Sequence, residues 1–428
     1  MSEDTKKLDD NVVQSGPGMW QRVGIFLASI GPGIFLIGYN IGTGSVTTAA
    51  ATGAKYGMSL TWPLALSCIF TYILIVAFGR YTAITGKTAL LSFRERFGAG
   101  AAWFVLISVV FSEWVAFMGV MGVVTEVVKE WSRPLTPSGE GFSMLLLSIV
   151  FGGLIYFLFW NGRYRFFENI LMFFVACMGL SFVLTMFMVI PDPVEVIEGL
   201  VPRIPDESNA ALLIAGMVGT TMGGVLYIVR SILVQEKGWK VQDLKLEKRD
   251  AFISSTIMFI LSAAVMACAA GTLFPRGLYV DSAIDMVKLL EPLAGRFAIS
   301  IFVAGIVSAG LSSLFPHILL APWLFADLTN RPRDMTLPYN RGIALFTVSL
   351  GLVVPVFGGR PVLIMIVSQA LVALATPVIV LLMLLLQNRA EIMGAYRATR
   401  GFNIIMTIIF VFTVFMAATG IIGIRGLL

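Results

Sequence analysis

The segment Gly219-Thr220-Thr221-Met222-Gly223-Gly224 lies in the middle of an apolar run, 208–229, that contains no charged residue. Gly42-Thr43-Gly44-Ser45 has the same place in a second uncharged run, 23–54. Each glycine weakens an α-helix by about 1 kcal/mol relative to alanine, so such clusters allow a helix to unwind. Matching breaks in the two halves of a membrane protein indicate inverted repeats with a solute site between them. Close helix packing through small residues is the alternative interpretation.

The composition is typical of an integral membrane protein. Of 428 residues, 57% are hydrophobic and 13% are charged, and the mean hydropathy is +0.89. Soluble proteins carry about 25% charged residues, and lipid offers backbone groups no partner outside the helix itself. We therefore predict an all-α integral membrane protein with about eleven transmembrane helices. They are expected near 23–52, 59–85, 101–128, 142–161, 164–190, 210–236, 251–274, 296–325, 340–358, 361–387 and 402–424.

The basic residues predict the orientation of the chain in the membrane. Lys and Arg are retained on the cytoplasmic side, and a cytoplasmic tail at 1–22 places most of the 30 basic residues there. An odd number of helices then places the C-terminus outside the cell, and we predict the inner (plasma) membrane as the location. The tail lacks the apolar segment of a signal peptide. The net charge of +5 reflects this asymmetry, so nucleic acid is not an expected partner.

Several motifs resemble those of the NRAMP (natural resistance-associated macrophage protein) divalent-metal transporters. They are Gly31-Pro32-Gly33, Gly53-Ala54-Lys55-Tyr56-Gly57, Ile84-Thr85-Gly86-Lys87, Ser308-Ala309-Gly310-Leu311-Ser312-Ser313, Ser368-Gln369, Thr376-Pro377, Asn388-Arg389 and Met393-Gly394. The resemblance covers nearly the whole chain. It implies a leucine-transporter-type fold with alternating access, in which two inverted five-helix repeats, 23–190 and 210–387, precede one additional helix, 402–424.

The residues that bind the metal in that family are replaced in this chain. Helix one of the family carries Asp-Pro-Gly-Asn, where this sequence has Gly42 to Ser45. Helix six carries Met-Pro-His, where this sequence has Met222-Gly223-Gly224. In helix three, Gly119 and Val120 align with a Thr-Asp pair used for protons, while Glu113 is retained. The resemblance is therefore to a diverged member that lacks the metal-binding Asp, Asn and His.

The two clusters predict a site for a small anion. A hard dication needs several oxygen ligands, usually including a carboxylate, and neither cluster contains one. Helix N-termini and glycine-rich turns present N–H groups that bind anions, and we predict bicarbonate as the substrate. The residues expected to bind it are Gly42, Thr43, Gly44, Ser45, Gly219, Thr220, Thr221, Met222, Gly223 and Gly224, with Tyr39, Asn40 and Gln369 as further contacts.

Other functions remain open from the sequence. The resemblance and the Met222 sulfur favour a divalent metal ion, manganese or magnesium, in an atypical site. An amino acid or other carboxylate is a further alternative, because amino-acid–polyamine transporters have a similar glycine-rich break. A non-transporting membrane receptor is the alternative from another class. We do not expect the protein to be an enzyme, because the membrane segments offer no nucleophile–base pair. We expect a monomer whose partners are the lipid bilayer and a small solute.

Uptake of an anion into a negative cell requires a co-transported cation. Ala309, Ser312 and Ser313 have the spacing i, i+3, i+4, which places one carbonyl and two hydroxyl groups on one helix face. Sodium-coupled proteins of the resembled fold use that arrangement, so sodium is expected as co-substrate, without any other cofactor. Protons carried by Glu113 are the alternative, unless Glu113 forms a structural ion pair with Arg341 or Arg80.

The remaining polar groups in apolar segments are interpreted as structural. His317, beside Pro316, is expected to pack within helix eight. Arg230 is expected to anchor the cytoplasmic end of helix six rather than to steer anions. Cys68, Cys177 and Cys268 are isolated in the sequence, so we expect core residues rather than disulfides or metal ligands.

Overall fold

The computed structural model describes residues 42–161, 164–189, 192–205, 210–290 and 298–426. Its α-helices are α1 Thr43–Tyr56, α2 Thr61–Thr85, α3 Ala89–Phe97, α4 Ala99–Ser132, α5 Met144–Asn161, α6 Tyr164–Val189, α7 Pro193–Glu198, α8 Ala210–Met222, α9 Gly224–Glu236, α10 Leu244–Thr272, α11 Ala298–Leu328, α12 Pro338–Leu350, α13 Val353–Phe357, α14 Pro361–Gln387, α15 Ala390–Met393 and α16 Arg400–Arg425. Within these ranges, nine helical stretches are long and apolar enough to cross a membrane.

The observed helices follow the predicted spans closely. The tenth predicted span coincides with α14, and most other ends differ by a few residues. The seventh differs most at its start, because α10 begins at Leu244 instead of residue 251. Two short helices, α3 and α7, lie in segments that were expected to be connections. Most of the predicted first span lies outside the described residues, and α1 is its described part.

The predicted sixth helix is divided at Gly223. Helix α8 ends at Met222 and α9 begins at Gly224, while Gly223 has an extended backbone, with φ −65° and ψ 134°. The broken pair lies at the centre of the bundle, and its apolar segment is wholly buried. Helix α14 packs along α8, α9 and α4, whereas α10 packs on α1, α2 and α6. The break therefore lies at the centre of the described bundle.

Close approach of helix backbones explains several of the glycines. A β-carbon at Gly219 would lie 1.8 Å from the carbonyl oxygen of Gln369 in α14. A β-carbon at Gly53 would lie 2.3 Å from the carbonyl oxygen of Met266 in α10. Small residues thus hold α8 against α14 and α1 against α10, as they do in membrane helix pairs generally.

The outer helices present apolar side chains to lipid. Leu146 and Phe157 on α5, Leu345 on α12 and Val411 on α16 are all exposed. Cys177 is also exposed, on α6, so the expectation of a core position was wrong for this residue. Cys68 and Cys268 are buried, as predicted.

A buried ion cluster joins α9 to α10. The Arg230 guanidinium is fully buried and donates to the carboxylate of Asp250, and its Nη2 lies 3.2 Å from Glu247 Oε1. The Trp239 ring lies 5.5 Å from the guanidinium carbon. Engagement by two carboxylates explains why a full charge is tolerated in the protein interior. These contacts attach α9 to α10 through Arg230, in agreement with the expected anchoring role, and the side chain is not available to steer a solute.

We predict that Arg230→Met destabilises the protein strongly. Removing one partner of a buried ion cluster leaves uncompensated charge, which typically costs about 3–5 kcal/mol. The measurement is the unfolding temperature of the purified protein in detergent. The matched control is Lys87→Gln, which breaks an exposed pair between Lys87 Nζ and Glu95 Oε2 at 2.6 Å and should change little. Equal effects of the two substitutions would contradict the prediction.

Candidate functional site

A small cavity lies where the broken helix pair meets α1, α4, α11 and α14. Its volume is about 30 Å³, which is space for a water-sized species. The residues that line it are Gly42, Gly44, Ser45, Val120, Gly219, Thr220, Gly223, Val225, Leu226, Ser313, His317, Met365, Gln369 and Val372. The predicted clusters of helices one and six thus meet at a single cavity, although 174 positions separate their nearest members, Ser45 and Gly219.

Helix α1 directs its amino-terminal end at this cavity. The first turn begins at Thr43, its N-cap Gly42 supplies no side-chain bond, and Ser45 Oγ donates to the Gly42 carbonyl at 3.2 Å. The first amide groups of a helix have no partner within the helix, so this end carries partial positive charge. This half of the predicted anion geometry is present in the structure.

At the amino-terminal end of α9, more of the backbone N–H groups have hydrogen-bond partners than at the start of α1. Gly224 N donates to Thr376 Oγ1 in α14 at 3.0 Å, and Leu226 N donates to the Gly223 carbonyl at 3.0 Å. Helix α8 contributes its carboxyl-terminal end, with Gly219 and Thr220 at the cavity. Carbonyl groups at a helix carboxyl terminus carry partial negative charge. The cavity therefore meets helix ends of both signs.

Three of the predicted substrate contacts face other parts of the bundle. Thr221 Oγ1 bonds to Ser67 in α2 and donates to the Met217 carbonyl at 3.0 Å. The Thr43 methyl group lies 3.5 Å from the position of a β-carbon at Gly310, which directs this side chain toward α11. Met222 is buried and packs among Val218, Ala373, Thr376, Thr413 and Met416.

The predicted coupling-ion residues lie together in α11. Ser313 Oγ donates to the Ala309 carbonyl at 2.8 Å, and Ser313 also lines the central cavity. Ser312 is buried one residue away. Tyr39 and Asn40 lie outside the described residues. Sodium coupling through this helix face stays a prediction.

Glu113 lies beside His317, a contact that the sequence analysis missed. Glu113 Oε2 is 3.4 Å from His317 Nε2, and both side chains are buried. His317 Nδ1 lies 2.6 Å from the Ser313 carbonyl oxygen, which can only accept, so Nδ1 carries a proton. Both nitrogens of the His317 ring therefore have a neighbour, and the ring lines the cavity. The expectation that His317 only packs within helix eight was wrong.

The two arginines considered as partners of Glu113 make other contacts. Arg80 donates to the carbonyl oxygen of Tyr396, and the Arg341 guanidinium lies 3.5 Å from the centre of the Trp160 ring. The sequence signal for His317 was its spacing of four residues from Ser313, which places both on one face of α11. What the sequence could not give is the rotation of α4, which brings Glu113 to that face.

Met365 is a second cavity residue that the sequence analysis missed. It precedes Gln369 by four residues in α14, so both lie on one helix face. A β-carbon at Gly119 would lie 2.7 Å from Met365 Sδ, and one at Gly44 would lie 2.9 Å from its methyl carbon. The thioether thus spans the gap between α4 and α1 at the cavity.

The described residues contain no group of three or more His, Cys, Asp and Glu side chains that could hold a metal ion. Any cation in the central cavity would therefore be bound mainly by neutral groups. Those available are the Gln369 amide, the Ser45 hydroxyl, the Met365 thioether and main-chain carbonyls, with the Glu113 carboxyl group behind His317 as the nearby acidic group.

The family model described as natural resistance-associated macrophage protein-like (Nramp) matches residues 33–423. The chain belongs to the Nramp family. The predicted family is thereby confirmed, and because Nramp proteins are membrane transporters, so is the expectation of a transporter that is not an enzyme.

Individual proteins of similar sequence or similar structure support the same fold. The divalent metal cation transporter MntH of Deinococcus radiodurans is 23% identical over 403 residues, which cover 91% of this chain and 88% of the relative. The crystal structure of a manganese transporter from Eremococcus coleocola superposes with a TM-score of 0.70 at 14% identity, covering 95% of this chain and 87% of that one. Mhp1, a nucleobase-cation-symport-1 family transporter, gives a TM-score of 0.59 at 16% identity, with 92% and 90% covered. The predicted leucine-transporter-type fold is confirmed.

We predict that Gly219→Ala disrupts the site. The added β-carbon would clash with the backbone of α14, which cannot move aside as a flexible side chain can, and overpacking of this kind typically costs about 1–3 kcal/mol. We expect loss of transport in proteoliposomes and a lower unfolding temperature. Gly100→Ala in α4 is the control, because a β-carbon there meets no atom within 4 Å. Normal transport by Gly219→Ala would show that the close approach of α8 and α14 is not required.

Proposed function

We propose that this Nramp-family protein transports a divalent metal cation through the central cavity, using an atypical site made mainly of neutral ligands. The observation that carries the proposal is the position of Glu113, 3.4 Å from an imidazole that lines the cavity. The sequence analysis disfavoured a dication because the glycine clusters contain no carboxylate. The carboxylate comes from α4 instead.

Because His317 Nδ1 carries a proton, Glu113 Oε2 and His317 Nε2 share one further proton, and the pair is neutral until an entering cation displaces that proton. The charge then left on Glu113 is large enough to matter at this depth. Two unit charges about 8 Å apart interact by roughly 2 kcal/mol at an effective dielectric constant near 20. That energy corresponds to at least a tenfold change in affinity, and it is doubled for a dication. The His317 ring lies between the carboxylate and the cavity, where it can orient the charge in the manner of a hydrogen-bonded outer-shell partner.

The neutral groups at the cavity are suited to complete such a site. Amide, hydroxyl and carbonyl oxygens bind manganese and magnesium, and Gln369, Ser45 and the carboxyl-terminal end of α8 supply them. The names of the relatives support the same substrate class, because those given above include a divalent metal cation transporter and a manganese transporter.

Bicarbonate is favoured by one feature, the amino-terminal end of α1 at the cavity. The comparisons give an anion no support, and the second expected donor, Gly224 N, is taken by Thr376. Bicarbonate, amino acids, and coupling to sodium or protons therefore stay predictions, and the experiment below separates the anion from the metal.

The test is flux into proteoliposomes that contain the purified protein. We expect manganese entry, followed with a metal-quenched dye, to exceed that of empty liposomes, and labelled bicarbonate entry to be unchanged by the protein. Glu113→Gln keeps the side-chain shape and removes the charge, so it should lower the apparent manganese affinity about tenfold. Glu95→Gln, which alters an exposed carboxylate of α3, is the matched control.

Two results would contradict the proposal. Bicarbonate flux without any manganese, magnesium or other divalent cation flux would support the anion reading in its place. Equally rapid manganese flux in Glu113→Gln would show that the Glu113 carboxylate does not contribute to cation binding, and the proposed site would then contain no acidic group.

A further inference from the structure

We propose that Arg333 acts as a latch that closes the passage between the central cavity and the side of the membrane predicted to be cytoplasmic. The latch is the contact of the Arg333 guanidinium with Asp327 in α11 and with Gln235 and Glu236 in α9. Opening of the passage requires the contacts with α9 to break. Such a latch is needed whichever solute the central cavity binds, so it goes beyond the proposed function.

Helices α9 and α11 lead from the central cavity to a second cavity. Val225 in α9 and His317 in α11 line the first one. Gln235, Glu236 and Asp327, near the other ends of the same two helices, line the second, which has a volume of about 230 Å³. At about 1.5 Å per residue, the stretch of α9 from Val225 to Gln235 is roughly 15 Å long. The second cavity therefore lies at the end of the route that a solute released between α9 and α11 would follow.

Arg333 binds both helices with one guanidinium. Its Nη2 donates to Asp327 Oδ1 at 2.8 Å and to Gln235 Oε1 at 2.6 Å, and its Nη1 donates to Glu236 Oε1 at 3.2 Å. The rigid, planar fork of donors in arginine suits such simultaneous contacts. Arg333 follows α11 in the chain, so its side chain reaches back to α11 and across to α9. It therefore links the two helices at the second cavity.

Thr88 also binds the Asp327 carboxylate. Thr88 is the N-cap of α3, and its Oγ1 lies 2.8 Å from Asp327 Oδ2 and 3.0 Å from Oδ1. The next residue, Ala89, donates its backbone N–H to Ser231 Oγ in α9 at 3.0 Å. The start of α3 therefore binds both α9 and α11 beside the latch.

The latch is buried at its α11 contact and exposed at its α9 contact. The side chain of Asp327 is 3% exposed, whereas that of Glu236 is 42% exposed. Exposed ion pairs contribute little stability, but loss of a partner leaves a buried carboxylate with an uncompensated charge. Arg333 therefore stays bound to α11, and the contacts with α9 are the ones that break when the passage opens.

The closed latch also places positive charge across the passage. A guanidinium repels a cation at short range, so a transported cation cannot leave while the latch is closed. Movement of α9 separates Glu236 from Arg333 and leaves that carboxylate at the edge of the opened passage. A departing cation then meets negative charge in place of positive charge. This electrostatic role, unlike closure itself, rests on the proposed function.

The experiment measures how fast a water-soluble maleimide reacts with single cysteines in the full-length protein in detergent, after the three native cysteines are replaced by serine. One reporter is Val225→Cys, at the central cavity at the start of α9. The other is Thr48→Cys, a buried position in α1. Because α2 crosses the membrane between the end of α1 and the start of α3, α1 and α9 lead from the cavity to opposite sides.

Arg333→Gln should open only the passage along α9. We expect the reaction rate of Val225→Cys to rise about fivefold or more, because the open state gains population. The rate of Thr48→Cys should stay unchanged or fall. Arg333→Lys keeps the positive charge and should return the Val225→Cys rate most of the way to that of the unsubstituted latch.

Arg331→Gln is the matched control. Arg331 borders the same second cavity, but it is exposed and lies over the Tyr339 ring, 5.8 Å from its centre. Its loss should leave both reaction rates unchanged. Asp327→Asn is a second variant, which removes the buried partner of the latch and should raise the Val225→Cys rate in the same direction as Arg333→Gln. The unfolding temperature of each variant shows that it is folded.

Two results would overturn the latch. One is an unchanged Val225→Cys rate in both Arg333→Gln and Asp327→Asn. The other is a rise at both reporter cysteines together, since that would indicate general loosening of the bundle. The labelling requires no metal ion, so the expected rates in a protein that carries no manganese would support the latch while overturning the proposed function.

Discussion

A helix that breaks inside a membrane leaves backbone amide and carbonyl groups where water cannot satisfy them, and the described core is arranged around that constraint. Side chains from two neighbouring helices form hydrogen bonds with the backbone on either side of the break at Gly223. Thr376 of α14 accepts from Gly224 N, and Thr71 of α2 donates to the Thr221 carbonyl at 2.8 Å. Because the single proton of Thr71 is used there, the Tyr227 hydroxyl, 3.0 Å away, must donate to Thr71 in turn. The two neighbouring helices thus hold α8 and α9 in register while the cavity remains between them.

Two clusters of buried ionisable groups in the bundle have different roles. Arg230, Asp250 and Glu247 bind one another, so their charges are compensated locally and join α9 to α10. His317 lines the cavity and Glu113 lies behind it, where their state of protonation and a passing ion can affect one another. The first group stabilises the bundle, and the second gives the site its polarity. A cavity that meets helix ends of both signs depends on this second group for its preference between cations and anions.

Sequence patterns were sufficient to predict the helices and the break in the sixth one. Apolar runs of about 20 residues predicted the spans, and clustered glycines predicted the break at Gly223, because both depend on local properties of the chain. Rotation of each helix about its own axis depends on packing against distant segments. For that reason Met222 was assigned to the cavity when it faces α16, and the Glu113–His317 contact, which joins residues of α4 and α11, was missed. Met365 was accessible in principle, since its spacing of four residues from Gln369 placed it on the same face.

The most direct test of the account is an anomalous-difference map from crystals of the full-length protein grown with manganese and measured at the manganese absorption edge. The account predicts a single strong peak in the cavity, between the amino-terminal end of α1, the carboxyl-terminal end of α8 and the Gln369 side chain. No peak at that place, together with planar density for a bound anion beside Gly42 and Gly44, would contradict it.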